Sequence, residues 1–201
     1  MQARASGVLL PVFSLPGPYG TGTLGAPARQ FVNFLADGGQ KFWQILPLVP
    51  PGGGDSPYMS ASCFAGNPLL LDPEALADEG LLTREELSAA RWADPDRVDY
   101  PWLHKNRAAL FRSAWERGKE RYAEALDRFL EEEADWLPDY ALFLALRDRF
   151  GGAELAQWPD PIRLRQPEAL EEARRELAEE CRYHAFLQLL FFRQWTAVKA
   201  Y

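Results

Sequence analysis

Two short apolar runs near the start of the chain, separated by a stretch with helical spacing, constrain the fold more than any other feature. The first run, Ser6 to Val12, leads into a loop rich in proline and glycine, and the second is Lys41 to Leu46. Between them, residues 26–39 place phenylalanines at helical spacing and end in a Gly-Gly pair. This order predicts a buried strand, a helix and a second, parallel strand, as in an α/β sheet.

The chain changes character after the second run. Residues 47–68 are rich in proline, glycine and serine, and ordered connections of this length are usually functional. Beyond them the pattern is charged and helical, and Thr83 and Glu86 have the spacing of a capping box. Helices are predicted over Lys105 to Arg117, Glu120 to Glu133, Pro138 to Phe150, and Glu168 to the end.

The last predicted helix is too apolar to stand alone. Its apolar stripe recurs at steps of three and four, and the LQLLFF segment makes the helix apolar on nearly all sides. Two strands offer little sheet for such a helix to pack on, and a two-stranded pair leaves both of its edges unpaired. We therefore expect the sheet to continue beyond Tyr201. The stripe consists of Leu177, Cys181, His184, Leu187, Phe191, Trp195 and Val198.

Composition narrows the class of partner. The 201 residues include 22 Lys and Arg against 29 Asp and Glu, a net charge of −7, which disfavours nucleic acid and anionic membranes and favours a neutral ligand. Cys63 and Cys181 lack metal-like spacing and are interpreted as buried small hydrophobes in a reducing compartment. With no leader-like start and no long apolar run, the sequence predicts a cytoplasmic protein without a membrane partner.

Three glycines raise one alternative. Gly20, Gly22 and Gly25 match G-x-G-x-x-G between a strand and a helix, the context of a dinucleotide-binding fold. However, the SLPGPY segment separates the strand from the first glycine, and no acidic residue closes the second strand. A dinucleotide-dependent oxidoreductase is therefore the least favoured function.

The GDSPY segment, residues 54–58, is the main candidate site. It joins an aromatic ring to short polar groups just after the C-terminal end of a strand, where barrel enzymes place their sites. By spacing alone, an Asx-type turn at Asp55 with a packed Tyr58 is the favoured alternative. The histidines, His104 and His184, have no partner at metal or triad spacing, and His184 is interpreted as a satisfied core residue. No metal or cofactor is predicted.

Six segments together resemble a known family. SLPGPYG, FWQILPL, GDSPY, FAGNP, WLPDYALFLAL and FFRQW, in this order, are similar to the N-terminal part of the amylomaltases, which are 4-α-glucanotransferases. The resemblance runs from Ser6 to Tyr201. It implies the first two strands of a (β/α)₈ barrel that is incomplete in this chain. Residues 1–50 would form the first βαβ unit, 51–166 an inserted loop and helical subdomain, and 167–201 a returning barrel helix.

The resemblance also implies an activity. The family transfers α-1,4-glucan segments between malto-oligosaccharides with retention, through a covalent glycosyl-enzyme that needs two carboxyl groups about 5 Å apart. Its catalytic acids follow later barrel strands, so no residue of this chain is assigned as catalytic, and the chain by itself is expected to be inactive. The counterpart of Tyr58 stacks on the transferred sugar, and Asp55, Ser56 and Asn67 shape the same loop. A non-catalytic glucan-binding module is the alternative.

Several positions depart from the family pattern, and three of them bear on glucan binding. Gly53 replaces a tyrosine that contributes in some members to a second glucan site, and His104 stands near a second such tyrosine. The resemblance therefore does not predict that second site for this chain. Met59 replaces a glutamine beside Tyr58, so a change in hydrogen bonding to the donor sugar is expected.

Overall fold

The computed structural model describes residues 4–92, 94 and 97–201. Residues 1–3, with which the predicted unit 1–50 begins, lie outside the described residues. The same holds for residues 93, 95 and 96 of the predicted insertion 51–166.

The N-terminal part folds as strand, helix and parallel strand. Strand β1 (Gly7–Leu9) is followed by helix α1 (Ala26–Asp37) and strand β2 (Phe42–Gln44), and β1 pairs with β2 in parallel with Gly7 opposite Phe42. Helix α1 ends at Gly38, and Gly39 takes φ of +68°, which lets the chain reverse without a Cβ clash. The predicted parallel crossover is confirmed.

The first strand is shorter and more open than predicted. Pairing stops at Leu9, and Val12–Ser14 forms a 3₁₀ turn instead of extending the strand. Leu9 is 55% exposed and Phe42 is 64% exposed, so the expectation of a buried strand is wrong for this chain. The physical reason is that strand side chains are buried only where other elements pack on the face of the sheet, and the described residues leave the face with Leu9 and Phe42 largely uncovered.

The regular elements after β2 in the described chain are helices. The predicted helices are present, but the predicted last helix is two, because the chain leaves helical geometry at Leu177 (φ −106°, ψ 21°). The helices after β2 are α2 (Pro73–Asp78), α3 (Arg84–Ala89), α4 (Tyr100–Gly118), α5 (Ala123–Glu132), α6 (Leu137–Arg149), α7 (Asp160–Arg163), α8 (Pro167–Glu176) and α9 (Ala178–Ala200).

The chain forms two compact units. One comprises Met1–Gly118 with Leu190–Tyr201, and the other Lys119–Leu189, so α9 contributes residues to both. Part of the core of the second unit is a cluster around Trp158, and the indole nitrogen of Trp158 donates to the Ala153 carbonyl. The predicted boundaries after residues 50 and 166 separate barrel from insertion, whereas the two units are defined by compactness. The predicted boundaries therefore stay a prediction.

Helix α9 is buried along its apolar middle stretch, as its composition predicts. Every residue from 183 to 191 is buried, including Gln188. His184 is 8% exposed and its Nε2 lies 3.0 Å from Asp148 Oδ2, which confirms a satisfied core histidine. In the part of the chain that the structure describes, no helix is both long and apolar enough to cross a membrane.

Neither cysteine is fully buried, so the interpretation of both as core residues is wrong. Cys63 is exposed because it lies in the loop that follows β2, where the chain forms no regular element around it. Cys181 is half-buried beside the Trp158 cluster, and burial raises the pKa of its thiol.

Glu86 ties the start of α3 to α4. Its Oε2 accepts from the Thr83 backbone N–H at 2.8 Å and from Arg117 at 2.8 Å, while its own N–H donates to Thr83 Oγ1, which confirms the capping box. Desolvation by burial opposes the charged form, but these hydrogen bonds outweigh it and lower the pKa of Glu86 from 4.5 to about 2.

This arrangement predicts a pH dependence of stability. Because the folded pKa lies below the unfolded value, the stabilisation is complete above pH 4.5 and is lost as the pH falls towards 2. Glu86→Gln is expected to lower the unfolding free energy at pH 7 by about 1 kcal/mol and to flatten its decline below pH 5. Urea unfolding at several pH values measures this, with the exposed Glu85→Gln as control. Parallel pH profiles for Glu86→Gln and the unmodified chain would contradict the assignment.

Candidate functional site

The GDSPY segment lies in a tight loop, Gly52–Met59, whose ends meet. The Gly52 N–H donates to the Ser56 carbonyl at 3.2 Å, and the Met59 N–H donates to the same carbonyl at 3.2 Å. A Cβ on Gly52 would lie 1.4 Å from the Met59 carbonyl oxygen, so only glycine fits at the base of the loop. Gly54 (φ +67°) and Asp55 (φ +55°) are consecutive left-handed residues that turn the chain.

Tyr58 projects outward from this loop. Its side chain is 70% exposed, and Met59 and Phe64 nearby are also largely exposed. The short polar turn is built on Ser56, whose Oγ accepts from the Tyr58 N–H at 3.3 Å, and not on Asp55. Both parts of the alternative interpretation, an Asx turn at Asp55 and a packed Tyr58, are therefore wrong. The loop instead leaves the Tyr58 ring exposed to solvent.

Asp55 reaches across to α4. Its Oδ1 lies 3.1 Å from His104 Nε2, although the two residues are 49 positions apart in the chain. Sequence spacing could not reveal this pair, because it arises from the placement of α4 beside the loop. Tyr100, one turn before His104, is also close to Asp55. Burial, and secondarily the Asp55 carboxylate, raise the pKa of the Tyr100 phenol.

Asn67 shapes the end of the long connection. It is buried, its N–H donates to the Leu48 carbonyl at 2.7 Å, and its Oδ1 accepts from the Leu69 N–H at 3.0 Å. Asn67 and Asp55 both line a cavity of about 20 Å³, which has room for roughly one water molecule and not for a sugar. Asp55, Ser56 and Asn67 thus hold the loop and its connection in place, and Tyr58 lies on the surface of the loop.

The glycine motif is buried in the protein interior. A Cβ on Gly22 would lie 1.9 Å from the Val12 carbonyl oxygen, and one on Gly25 would lie 2.1 Å from the Asp72 carboxylate. Thr23 Oγ1 donates to the same carboxylate at 2.5 Å. A negatively charged protein group therefore stands at the start of α1, where a dinucleotide fold would place its phosphates. This arrangement agrees with the rejection of the dinucleotide interpretation.

A larger cavity of about 370 Å³ lies beside the loop that follows β1. It is lined in part by Phe13, Arg97 and Tyr100, and none of the four predicted binding residues contributes to it. Its volume falls at the lower end of the range typical of small-molecule sites. Phe13, Thr21 and Tyr100 line both this cavity and the small one at Asp55.

Comparison with known proteins decides the family. Residues 10–201 match the family described as 4-alpha-glucanotransferase. The chain belongs to the 4-alpha-glucanotransferase family. The resemblance drawn from the six sequence segments is confirmed.

Curated relatives in this family support the assignment. The 4-alpha-glucanotransferase of Thermus thermophilus is 48% identical over 98% of this chain, and that of Synechocystis sp. is 42% identical over 100% of it. The alignments cover 39% and 41% of these two proteins. The chain therefore spans about two fifths of the length of the curated relatives it matches.

Two solved amylomaltase structures share this fold. An amylomaltase from Streptococcus agalactiae in complex with acarbose superimposes with a TM-score of 0.93 at 40% identity, over 98% of this chain and 41% of that one. An amylomaltase from Corynebacterium glutamicum, at 20% identity, has a TM-score of 0.74 over 98% of this chain and 28% of that one, and shows the fold alone.

Proposed function

We propose that this chain forms the glucan-binding N-terminal part of a 4-α-glucanotransferase. The whole enzyme transfers α-1,4-glucan segments between malto-oligosaccharides with retention, and it works in the cytoplasm. One observation carries the proposal: in a chain of this family, an ordered loop holds the ring of Tyr58 exposed to solvent. The complex of the Streptococcus agalactiae amylomaltase with acarbose supports a saccharide as the ligand.

Tyr58 is the residue that contacts the sugar in this proposal. A pyranose ring exposes C–H groups on its faces, and an aromatic face packs against them while the phenol oxygen remains free to hydrogen-bond. Asp55, Ser56 and Asn67 act through the loop: Ser56 closes the turn beneath Tyr58, Asp55 joins it to α4, and Asn67 fixes the far end of the connection.

The reaction itself needs groups that we do not assign to this chain. Retaining transfer requires a nucleophilic carboxylate and an acid/base carboxyl about 5 Å apart, and an acceptor hydroxyl that outcompetes water for the glycosyl-enzyme. The part of the reaction assigned to this chain is binding. Stacking on Tyr58 orients the sugar and keeps water from one of its faces.

We also propose the barrel architecture implied by the resemblance. Strands β1 and β2 with α1 form its first unit, 51–166 its insertion, and 167–201 its returning helix. Three exposed apolar side chains support this view: Leu9 on β1, Phe42 on β2 and Phe34 on α1. Further barrel strands and helices would cover such surfaces, since buried parallel sheets are covered on both faces.

A chimera tests the proposed function. Residues 1–201 are joined to the remaining part of the Thermus thermophilus relative, and glucose release from maltotriose is measured. The chimera is expected to disproportionate maltotriose, whereas the 201-residue chain alone is not. A folded chimera that binds maltoheptaose without turnover would favour the non-catalytic binding module. Turnover by the chain alone would overturn the assignment of catalysis to residues outside it.

Tyr58→Ala tests the binding residue directly. Removing the ring is expected to weaken maltoheptaose binding about tenfold, because it deletes the stacking surface. Tyr58→Phe keeps the ring and is expected to stay within about threefold of the unmodified chain, since an exposed hydrogen bond contributes little. Isothermal titration calorimetry measures both. Equal affinities for the alanine variant and the unmodified chain would exclude Tyr58 from the site.

A further inference from the structure

We propose that His104 is a positioning residue that holds the Tyr58 loop in its binding shape through Asp55. The inference rests on the proposed function for its consequence in glucan binding, whereas the tether itself is a property of the structure. His104 contacts Asp55 of the loop, and its ring lies 6.2 Å from that of Tyr100 on its own helix, so its effect on Tyr58 passes through the loop.

The loop has a backbone that needs support. Asp55 is at φ +55°, and it follows Gly54 at φ +67°. A left-handed conformation disfavours residues with a Cβ, and aspartate tolerates it better than most because its short polar side chain can hydrogen-bond. Here the Asp55 side chain forms a hydrogen bond with His104 Nε2 at 3.1 Å. The residue with the strained backbone is therefore also the one that a side chain outside the loop holds in place.

Helix α4 offers a fixed support for this contact. Leu103 and Arg107, on either side of His104 along the helix, are each 1% exposed. His104 itself is on the exposed side of α4, where its ring nitrogen reaches the loop. The loop, in contrast, is closed by hydrogen bonds among its own residues, such as Gly52 to Ser56. The internal hydrogen bonds fix the shape of the loop, and the hydrogen bond from His104 fixes the position of the loop relative to α4.

The direction of the hydrogen bond indicates which substitution should preserve it. A carboxylate only accepts, so His104 Nε2 must donate to Asp55. Glutamine carries an amide N–H₂ about as far from the backbone as Nε2, so His104→Gln can keep the contact. His104→Ala removes it. Lys105→Ala is the matched control, because Lys105 is the next residue on α4 and is exposed.

Hydrogen exchange tests the tether without any ligand. In His104→Ala, the amides of residues 52–56, 58 and 59 are expected to exchange about two- to fivefold faster, because a partly exposed hydrogen bond to a carboxylate contributes modestly. His104→Gln and Lys105→Ala are expected to match the unmodified chain. Unchanged exchange in His104→Ala would overturn the proposal, and thermal unfolding of each variant confirms that α4 remains folded.

Maltoheptaose titration tests the consequence. His104→Ala is expected to weaken binding about two- to fivefold, with recovery in His104→Gln. Asp55→Gly keeps the left-handed turn but removes the carboxylate, so His104→Ala should add no further loss to it. Additive losses would overturn the coupling. If the unmodified chain does not bind maltoheptaose, the proposed function fails, and the exchange measurement still decides the tether.

Discussion

Gly22→Ala is expected to lower the unfolding free energy by about 3 kcal/mol, because the added methyl group collides with backbone rather than with a side chain that can turn away. It would lie 1.9 Å from the Val12 carbonyl oxygen and 2.9 Å from the Leu15 N–H nitrogen. The Gly22 N–H also donates to the Phe13 carbonyl at 3.1 Å, which holds the two segments together. Denaturant unfolding, followed by circular dichroism, measures the loss.

Gly53→Ala is the matched control for this prediction. A Cβ there would lie 3.7 Å from the flexible Met59 methyl carbon, so the change in stability is expected to stay within about 0.5 kcal/mol. Comparing Gly22→Ala with Gly53→Ala distinguishes a packing role for Gly22 from a nucleotide-binding role. If Gly22 served a nucleotide, Gly22→Ala would alter NAD(H) binding and leave the stability nearly unchanged; that outcome would contradict the packing role.

Arg107→Met is expected to raise the unfolding free energy by about 1 to 3 kcal/mol. Arg107 is 1% exposed, and its Nε and Nη1 have no hydrogen-bond partner among the described residues. Desolvation lowers the pKa of its guanidinium to about 10, a sign that burial opposes its charge. The charge of the Asp72 carboxylate, the Tyr19 carbonyl at 3.5 Å and the Tyr19 ring at 5.7 Å favour the guanidinium but compensate only in part.

Two further variants separate charge from volume at Arg107. Methionine fills much of the space of the arginine stem, whereas Arg107→Ala removes the charge and leaves a cavity, so it should be less stable than Arg107→Met by about 2 kcal/mol. Lys105→Met, at an exposed position of the same helix, should change stability by less than about 0.5 kcal/mol. A lower unfolding free energy for Arg107→Met than for the unmodified chain would show that the buried charge stabilises the fold.

The sequence was most informative where structure depends on neighbours along the chain. The parallel β-α-β unit, the helix end at Gly38, the capping box at Thr83 and the buried stretch 183–191 all follow from local pattern. Each depends on residues within a few positions of one another, which periodicity and capping rules describe. Two of the failures, at the first strand and at Leu177, show the limit of local pattern. Burial of the first strand depends on whether other segments cover it. The end of α8 at Leu177 was not indicated by the helical pattern of the sequence.

By itself, the sequence determined the order of the elements and, through its motifs, the family. The tertiary structure decided which side chains are free to act. It exposed Tyr58 and Cys63, buried the glycine motif against Val12 and Asp72, and brought His104 to Asp55. The reason is physical: exposure and long-range contacts depend on what packs against a residue from distant parts of the chain, and one sequence read locally does not contain that information.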